Sequence, residues 1–417
     1  MHVAYITTEI PRPNQAGYLA YNHALTKALA DRGIDVTIVL GWPRLPAPIV
    51  RYSADLDARR VRVVGPGLAS IHGHVVVTQP ARSLRSLARW AVGLAPGALG
   101  ERLQRQGRSL DYGKVDAVVG RFLTEDEARA AAAMARGADV VLVDTIFRAP
   151  ALAYLPHHQP KVVIAHDVFS ARHASLRALG LDLFPPTLTE ADEVRLLAPA
   201  DLVVAIQAQE NAVLAKLAPH ARIVTAPMPA EPVARPPGVA RQAGRLAFVG
   251  SRAPHNVDGL RWFLGEIWPR LRVAMPKIQL DVCGTVGRSV GDVPAGVTVH
   301  GIVPDLAPIL YRACLAVAPV RAGSGQATKM LDFAAHGLTT VTTTQGLAGY
   351  EPTEPWPFIA ADTPEAFADA IARLAATDGT EREATASDFL HQYDAAVLLR
   401  PFVDSIEALA RGQRQAA

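Results

Sequence analysis

Two cysteines in 417 residues, Cys283 and Cys314, exclude a disulfide framework and a cysteine-rich metal site. Each lies in an apolar strand-like run, where a thiol behaves as a small buried hydrophobe, and such sparing use suits a reducing cytoplasm. Charge of one sign is also lacking. The formal net charge is +3 and 19% of residues are charged, which excludes a nucleic-acid binder built on a basic stripe. No run reaches the roughly 18 uncharged apolar residues of a membrane span. The opening MHVAYITTEI has no basic leader and no small-residue cleavage site, so it reads as a β-strand and not as a signal peptide. No G-x-G-x-x-G follows that strand, which argues against a Rossmann dehydrogenase. AGSGQATK (322–329) lacks the Gly-Lys-Ser/Thr ending of an ATPase phosphate loop. No pair of carboxylates stands out as an acid/base couple.

What is there is alternation. Residues 2–7 read as a strand, 17–32 as a helix closed by Gly33, and 34–40 as a second strand, a βαβ start that predicts a parallel doubly wound sheet. Further strands are expected at 139–143, 161–165, 201–206 and 222–226, with a helix at 187–198. Residues 227–244 hold five prolines and no periodicity and mark a boundary. A second series then runs through strand 245–250, helix 256–273 opening at Asn256 as N-cap, strands 278–283 and 297–301, helix 305–312, strand 315–320, a strand near 357–361, helix 364–377 and a helical tail. The expected division is an N-terminal Rossmann-like unit, 1–230, a C-terminal one, 231–395, and a terminal helix, 396–417, packing back on the first. In such sheets ligands bind beyond the carboxyl ends of the strands.

The most informative stretch is PVRAGSGQATKMLDFAAHGLTTVTTT (319–344). A strand ends at Pro319, a loop of small residues follows (Ala322, Gly323, Ser324, Gly325), and a helix opens that carries Lys329 and Asp332. Glycines at a strand-to-helix turn let backbone N–H groups approach an anion. Lys329 adds a full positive charge, and Asp332 offers a carboxylate to a ribose diol. The unit is built for a nucleoside diphosphate.

Together with VGSRAPHNVDGLRWFLGEIWPRL (249–271), HGIVPDLAPILYRACLAVAPVRAGSGQATKMLDFAAHGLTTVTT (300–343), AHDVFSARH (165–173) and ADLVVAIQAQENAVL (200–214), this stretch resembles the family 4 retaining glycosyltransferases, glycosyl transferases group 1. The resemblance covers about two-thirds of the chain and is weakest between 42 and 135. It implies an α/β chain of GT-B fold, two Rossmann-like domains facing across a cleft, the first binding the acceptor and the second a nucleoside-diphosphate sugar. It implies hexosyl-type transfer with retention, in glycan or glycoconjugate biosynthesis. No metal and no cofactor is implied beyond the donor co-substrate, because a lysine and an arginine neutralise the leaving diphosphate.

Carried onto this chain, the diphosphate is assigned to Lys329, Arg252, Gly323, Ser324, Gly325 and Gln326. Arg252 is preferred to Arg321 as the second cation. Asp332 stands where relatives place the second glutamate of an E-x7-E pattern, the ribose ligand, and Ser324 stands where the first would be. Gly301, Ile302 and Val303 are assigned to the base through backbone atoms. His166 and Asp167 are placed near the donor sugar and the acceptor, with Asp167 orienting the imidazole or accepting the acceptor's proton. Glu9, Gly17 and Arg172 are acceptor-side candidates. The expected partners are a nucleoside-diphosphate sugar and a sugar, glycoconjugate or small-molecule acceptor, with no nucleic acid. Donor sugar, base, acceptor, linkage and oligomeric state stay open. Segment 81–108 holds six arginines and one glutamate. It reads either as a basic amphipathic contact with the inner face of a membrane or as an insertion that shapes the acceptor pocket. Two other functions share the architecture: a nucleotide-sugar 2-epimerase and a non-catalytic nucleotide-sugar-binding subunit.

Overall fold

The computed structural model describes the chain apart from residues 14–16, 44, 53, 81–82, 85–86, 89–90, 92–119, 184–186 and 417. Most of segment 81–108 therefore lies outside the described residues. The chain divides into two compact units. One comprises Met1–Asp167, Leu188–Pro227 and Leu399–Ala417, and the other Val168–Thr187 and Met228–Leu398. The terminal helix Arg400–Ala416 thus belongs to the first unit, where Arg32 meets its Glu407 at 3.2 Å. Segment 168–187 was expected in the first unit and groups with the second. Its helix Phe169–Ala178 is tied to the glycine loop there, where Ser175 Oγ accepts from Gly323 N at 3.0 Å.

Ten strands belong to the first unit: β1 (His2–Thr7), β2 (Asp35–Leu40), β3 (Ile49–Arg51), β4 (Val61–Val64), β5 (Leu68–Ile71), β6 (His74–Val77), β7 (Val140–Asp144), β8 (Lys161–Ala165), β9 (Leu202–Ala205) and β10 (Arg222–Thr225). Seven of them form a parallel sheet in the order β10-β9-β8-β7-β1-β2-β4. Every residue of β7 and β8 is buried. Strands covered on both faces read as unbroken apolar runs such as VVLV and VVIA, and this explains why the sequence announces them. The small antiparallel sheet β3-β6-β5 falls in a stretch without a periodic pattern. Its strands have three or four residues and are half-exposed, too short for a pattern to show.

The second unit holds β11 (Gln242–Val249), β12 (Gln279–Cys283), β13 (Val297–Gly301), β14 (Ala313–Ala318), β15 (Thr340–Thr342) and β16 (Phe358–Ala360). They form a parallel sheet in the order β13-β12-β11-β14-β15-β16. One face is packed by Phe263, Trp268, Phe367 and Ile371, the other by Met330, Phe333, Phe358 and Phe389. The helix expected over 256–273 is broken. Pro254–Trp262 is α-helical, Phe263–Ile267 forms a π turn, and Trp268–Ala274 resumes. Pro269 has no N–H to continue the i to i−4 ladder, which accounts for the interruption. The helix also begins before Asn256, with Pro254 in its first turn and Ala253 at the N-cap, so Asn256 is not the cap.

In each sheet the strand order reverses between two neighbours, β1 and β7 in the first unit and β11 and β14 in the second. Connections leave that pair in opposite directions and open a crevice at their carboxyl ends. The helix Pro254–Trp262 is seated at the second crevice through Gly259, where a Cβ would lie 2.1 Å from Pro319 O. Gly259→Ala is therefore expected to cost about 1–3 kcal/mol by overpacking. Urea unfolding with an unchanged midpoint would contradict that seating.

Candidate functional site

At the crevice of the first unit, β1 ends in Thr7 and Thr8, and β7 in Asp144 and Thr145. Asp144 is buried, with 1% of its surface exposed. Its Oδ2 accepts from Thr7 Oγ1 at 2.9 Å, and its Oδ1 lies 2.8 Å from His166 Nε2. Burial alone would raise this carboxyl. The contact with His166, the charge of Arg148 and the Asn22 amide outweigh it and hold the pKa below the usual range. Asp144 is thus a buried anion set against the His166 imidazole. The ring of Tyr21 stands edge-on to the imidazole, centroids 5.3 Å apart. Tyr5 OH donates to Asn22 Oδ1 at 2.6 Å, and Arg148, fully buried, donates to Thr8 Oγ1 at 2.7 Å and to Arg121 O at 3.0 Å. Thr145 sits at φ 62°, in the left-handed region that a β-branched residue adopts at a cost of about 1–3 kcal/mol. That strain marks a constrained site.

The sequence reading assigned the orienting carboxylate to Asp167. The carboxylate against the imidazole is that of Asp144, and Asp167 follows His166 as a buried residue at the end of β8. Asp144, Arg148 and Asn22 were missed. One signal existed, a carboxylate closing the apolar run VVLVD. Glu9 accepts a hydrogen bond from Tyr18 OH, so it is held within the β1 loop. Gly17 is the first residue of the helix Gly17–Asp31.

At the crevice of the second unit, two loops meet. After β11 come Gly250, Ser251, Arg252 and the helix with Asn256. After β14 comes the glycine loop, which runs as far as Thr328. Gly323 takes φ 141°, its carbonyl accepts from Gln345 Nε2 at 3.0 Å, and Ser324 Oγ reaches Val168 O at 3.3 Å. These ties hold the loop out of the helix, so Lys329 is the first residue of Lys329–Ala335 and not one turn inside it. Gln326 is buried, and its amide donates to Gly349 O at 3.2 Å, which makes it a brace of the loop where a diphosphate ligand was expected. Lys329 Nζ donates to Asn256 Oδ1 at 2.5 Å and stands 5.3 Å from the centroid of Phe248. Burial lowers its pKa to about 8, so it remains mostly protonated at neutral pH.

Arg321 is engaged elsewhere, in two hydrogen bonds to Asp258 at 2.6 and 2.9 Å. Arg252 is exposed, and its Nε meets the neutral hydroxyl of Ser289 at 3.1 Å, so its charge stays available. Arg172 Nη2 lies 3.5 Å from Nδ1 of His255. Burial, and then Arg172 and Lys329 beside it, drive His255 well below the usual histidine range, so it is neutral. His255 is a second residue that the sequence reading did not single out. Asp332 is exposed one turn after Lys329. Gly301 takes φ 68° and its carbonyl is taken by Gly284 N at 2.6 Å, while Ile302 is 56% exposed and Val303 half-buried. No group of three metal-ligating side chains occurs among the described residues. None of their helices is long and apolar enough to cross a membrane.

Two parallel α/β units, each with a polar crevice at its switch point, define the GT-B class. The chain superposes on crystal structures of that fold. TarM gives a TM-score of 0.63 at 10% identity over 97% of this chain and 98% of that one. The α,α-trehalose 6-phosphate synthase of Burkholderia multivorans gives 0.61 at 14% identity over 100% and 98%. The pneumococcal O-GlcNAc transferase GtfA, solved in complex with UDP and GlcNAc, gives 0.57 at 11% identity over 98% and 99%. A search of curated protein sequences returns no match. Residues 243–377, within the second unit, match the family model described as Glycosyl transferases group 1.

The Lys329 ammonium is disfavoured by folding, and the sign of its linkage follows. Its folded pKa of about 8 lies below the unfolded value of roughly 10.4, so the unfolded chain binds more protons between the two and stability rises with pH across that window. Lys329→Met should raise the melting temperature of the ligand-free protein at pH 7 and flatten the rise above pH 8. For Asp144 the slope has the same sign but lies in acid, and at neutral pH the charged form is the one that folding favours. Its pKa is depressed, so its contribution is present above about pH 4 and lost as pH falls through the folded value. Asp144→Asn should cost about 1–3 kcal/mol at pH 7. Denaturant titrations of mutant and wild type should converge in acid.

Proposed function

We propose that the protein transfers a sugar from a nucleoside-diphosphate sugar to an acceptor hydroxyl with retention of configuration and without a metal ion. The observation that carries this reading is the Lys329 ammonium beside the glycine loop, half-buried and bonded to a neutral amide, inside the segment that matches the glycosyltransferase family. Lys329 and Arg252 supply fixed positive charge to the diphosphate as it departs, and such preorganised electrostatics act where charge develops. The carboxylate of Asp332 accepts from the ribose hydroxyls. The backbone at 301–303 meets the base.

In the first unit, His166, set beside Asp144, hydrogen-bonds a sugar hydroxyl. The bond between the anomeric carbon and the diphosphate oxygen breaks as the acceptor hydroxyl attacks on the same face. The acceptor's proton passes to the departing phosphate oxygen, so no strong protein base is required. Two positive side chains do the work that a divalent ion does elsewhere, and this is the ground for metal independence.

The first test is thermal stability against UDP, GDP, dTDP and ADP and the matching nucleotide sugars. A specific ligand at 100 times its dissociation constant adds roughly 2.7 kcal/mol of stability by mass action. One diphosphate is expected to stabilise the wild type and not Lys329→Ala. Proton NMR of the product should show the anomeric configuration of the donor, with turnover unchanged by EDTA. A folded protein indifferent to the whole panel would sink the reading.

A further inference from the structure

The partner of Lys329 is a residue that the diphosphate reading did not include. Asn256 is buried at the third position of the helix Pro254–Trp262. A lysine nitrogen only donates, so the atom facing it is the amide oxygen. The other end of the same amide, Nδ2, donates to Ser251 Oγ at 3.2 Å, which fixes the plane of the group. Gly250 makes room for it. A Cβ at 250 would fall 2.9 Å from Phe248 Cε1 and 3.3 Å from both Cβ and Cγ of Asn256. Phe248, Gly250, Ser251 and Asn256 come from the end of β11, its loop and the helix that follows, while Lys329 opens the helix after the β14 loop. The bond at 2.5 Å therefore joins the two sides of the switch point.

The chemistry of the partner matters more than its presence. Buried ammonium groups in proteins ordinarily pair with a carboxylate. Here no carboxylate pairs with Lys329 among the described residues, and burial is what moves its pKa. A neutral oxygen fixes the direction of the ammonium and leaves its charge whole. A carboxylate of the same shape would cancel that charge and compete with an incoming anion.

We infer that Asn256 is a positioning residue for diphosphate recognition, holding the Lys329 ammonium in place without neutralising it. The inference rests on the donor reading above, with Lys329 as the diphosphate lysine. It assigns to a side chain next to the glycine loop a role distinct from contact with the ligand.

Asn256→Asp separates these ideas because it keeps shape and changes only charge. The chain has six lysines, so protein labelled with 13C at lysine Cε gives a simple spectrum, and Lys329 is identified by the signal lost in Lys329→Arg. In ligand-free protein the Lys329 titration should move up by about one unit or more in Asn256→Asp. Binding of UDP, or of whichever of GDP, dTDP and ADP protects the wild type best, should weaken about tenfold or more at pH 7. Inorganic pyrophosphate should weaken in parallel. Asn256→Ser, which keeps a neutral acceptor, should retain most of the affinity and guards against a folding defect in the acidic variant.

An unmoved Lys329 titration in folded Asn256→Asp overturns the inference. So does full diphosphate affinity in Asn256→Asp when Lys329→Ala has lost it. Full affinity in Lys329→Ala overturns the donor reading itself, and that result is independent of what Asn256 does.

Discussion

An ammonium held by a neutral oxygen is the contact around which the second unit is arranged. It needs two loops that belong to different strands to arrive within 2.5 Å of each other, and only adjacent strands with diverging connections supply that. It needs the β11 loop to pass close to Phe248, which Gly250 permits. It needs the helix Pro254–Trp262 to sit against the end of β14, which Gly259 permits. It also needs the glycine loop to stay unwound until Thr328, so that Lys329 leaves the backbone at the crevice and not one turn beyond it. Gln326, Gln345 and Ser175 brace that loop through Gly349 O, Gly323 O and Gly323 N.

The first unit solves the opposite problem. There a buried carboxylate is compensated: Asp144 is surrounded by groups that favour the ion, the Thr7 hydroxyl, the His166 ring, the Asn22 amide and the buried Arg148 guanidinium. A buried carboxylate so supplied is a fixed element, and it transmits its rigidity to His166. The second unit keeps its ammonium uncompensated and the first compensates its carboxylate. The proposed function, with a diphosphate at the second unit and a neutral hydroxyl at the first, is consistent with this division.

The fold was legible because parallel strands buried on both faces cannot hide. VVLV, VVIA, LVVA and CLAVA each read as a strand without help from context. What escaped was local and depended on neighbours in space. The antiparallel strands after β2 are too short to show a period. The break at Phe263–Ile267 follows from one proline inside an otherwise helical pattern. Asn256 looked like a helix cap because it precedes an apolar run, but Pro254 is the better first-turn residue and moves the cap back to Ala253. Gln326 was carried onto the diphosphate with the rest of its loop, but it is buried and its amide braces Gly349 O. Asp144 is invisible as a partner of His166 until β7 and β8 are known to be neighbours, since 22 residues separate them in the chain.

The same contrast explains why the family match lies within 243–377 while the first unit shows only likeness of fold. A diphosphate imposes strict terms: a positive group of fixed direction, a loop that admits phosphate oxygens, and a backbone stripped of side chains at defined points. Few sequences meet them, so they leave a pattern. A hydroxyl acceptor imposes weaker terms, because any hydrogen-bond acceptor can receive it and no strong base is required when the departing phosphate takes the proton. On the proposed function, the residues that meet these terms come from four separate parts of the first unit, the β1 loop, the helix Gly17–Asp31, β7 and the end of β8. No single stretch of chain concentrates them, so on that proposal the acceptor side is written in tertiary structure and the donor side in sequence.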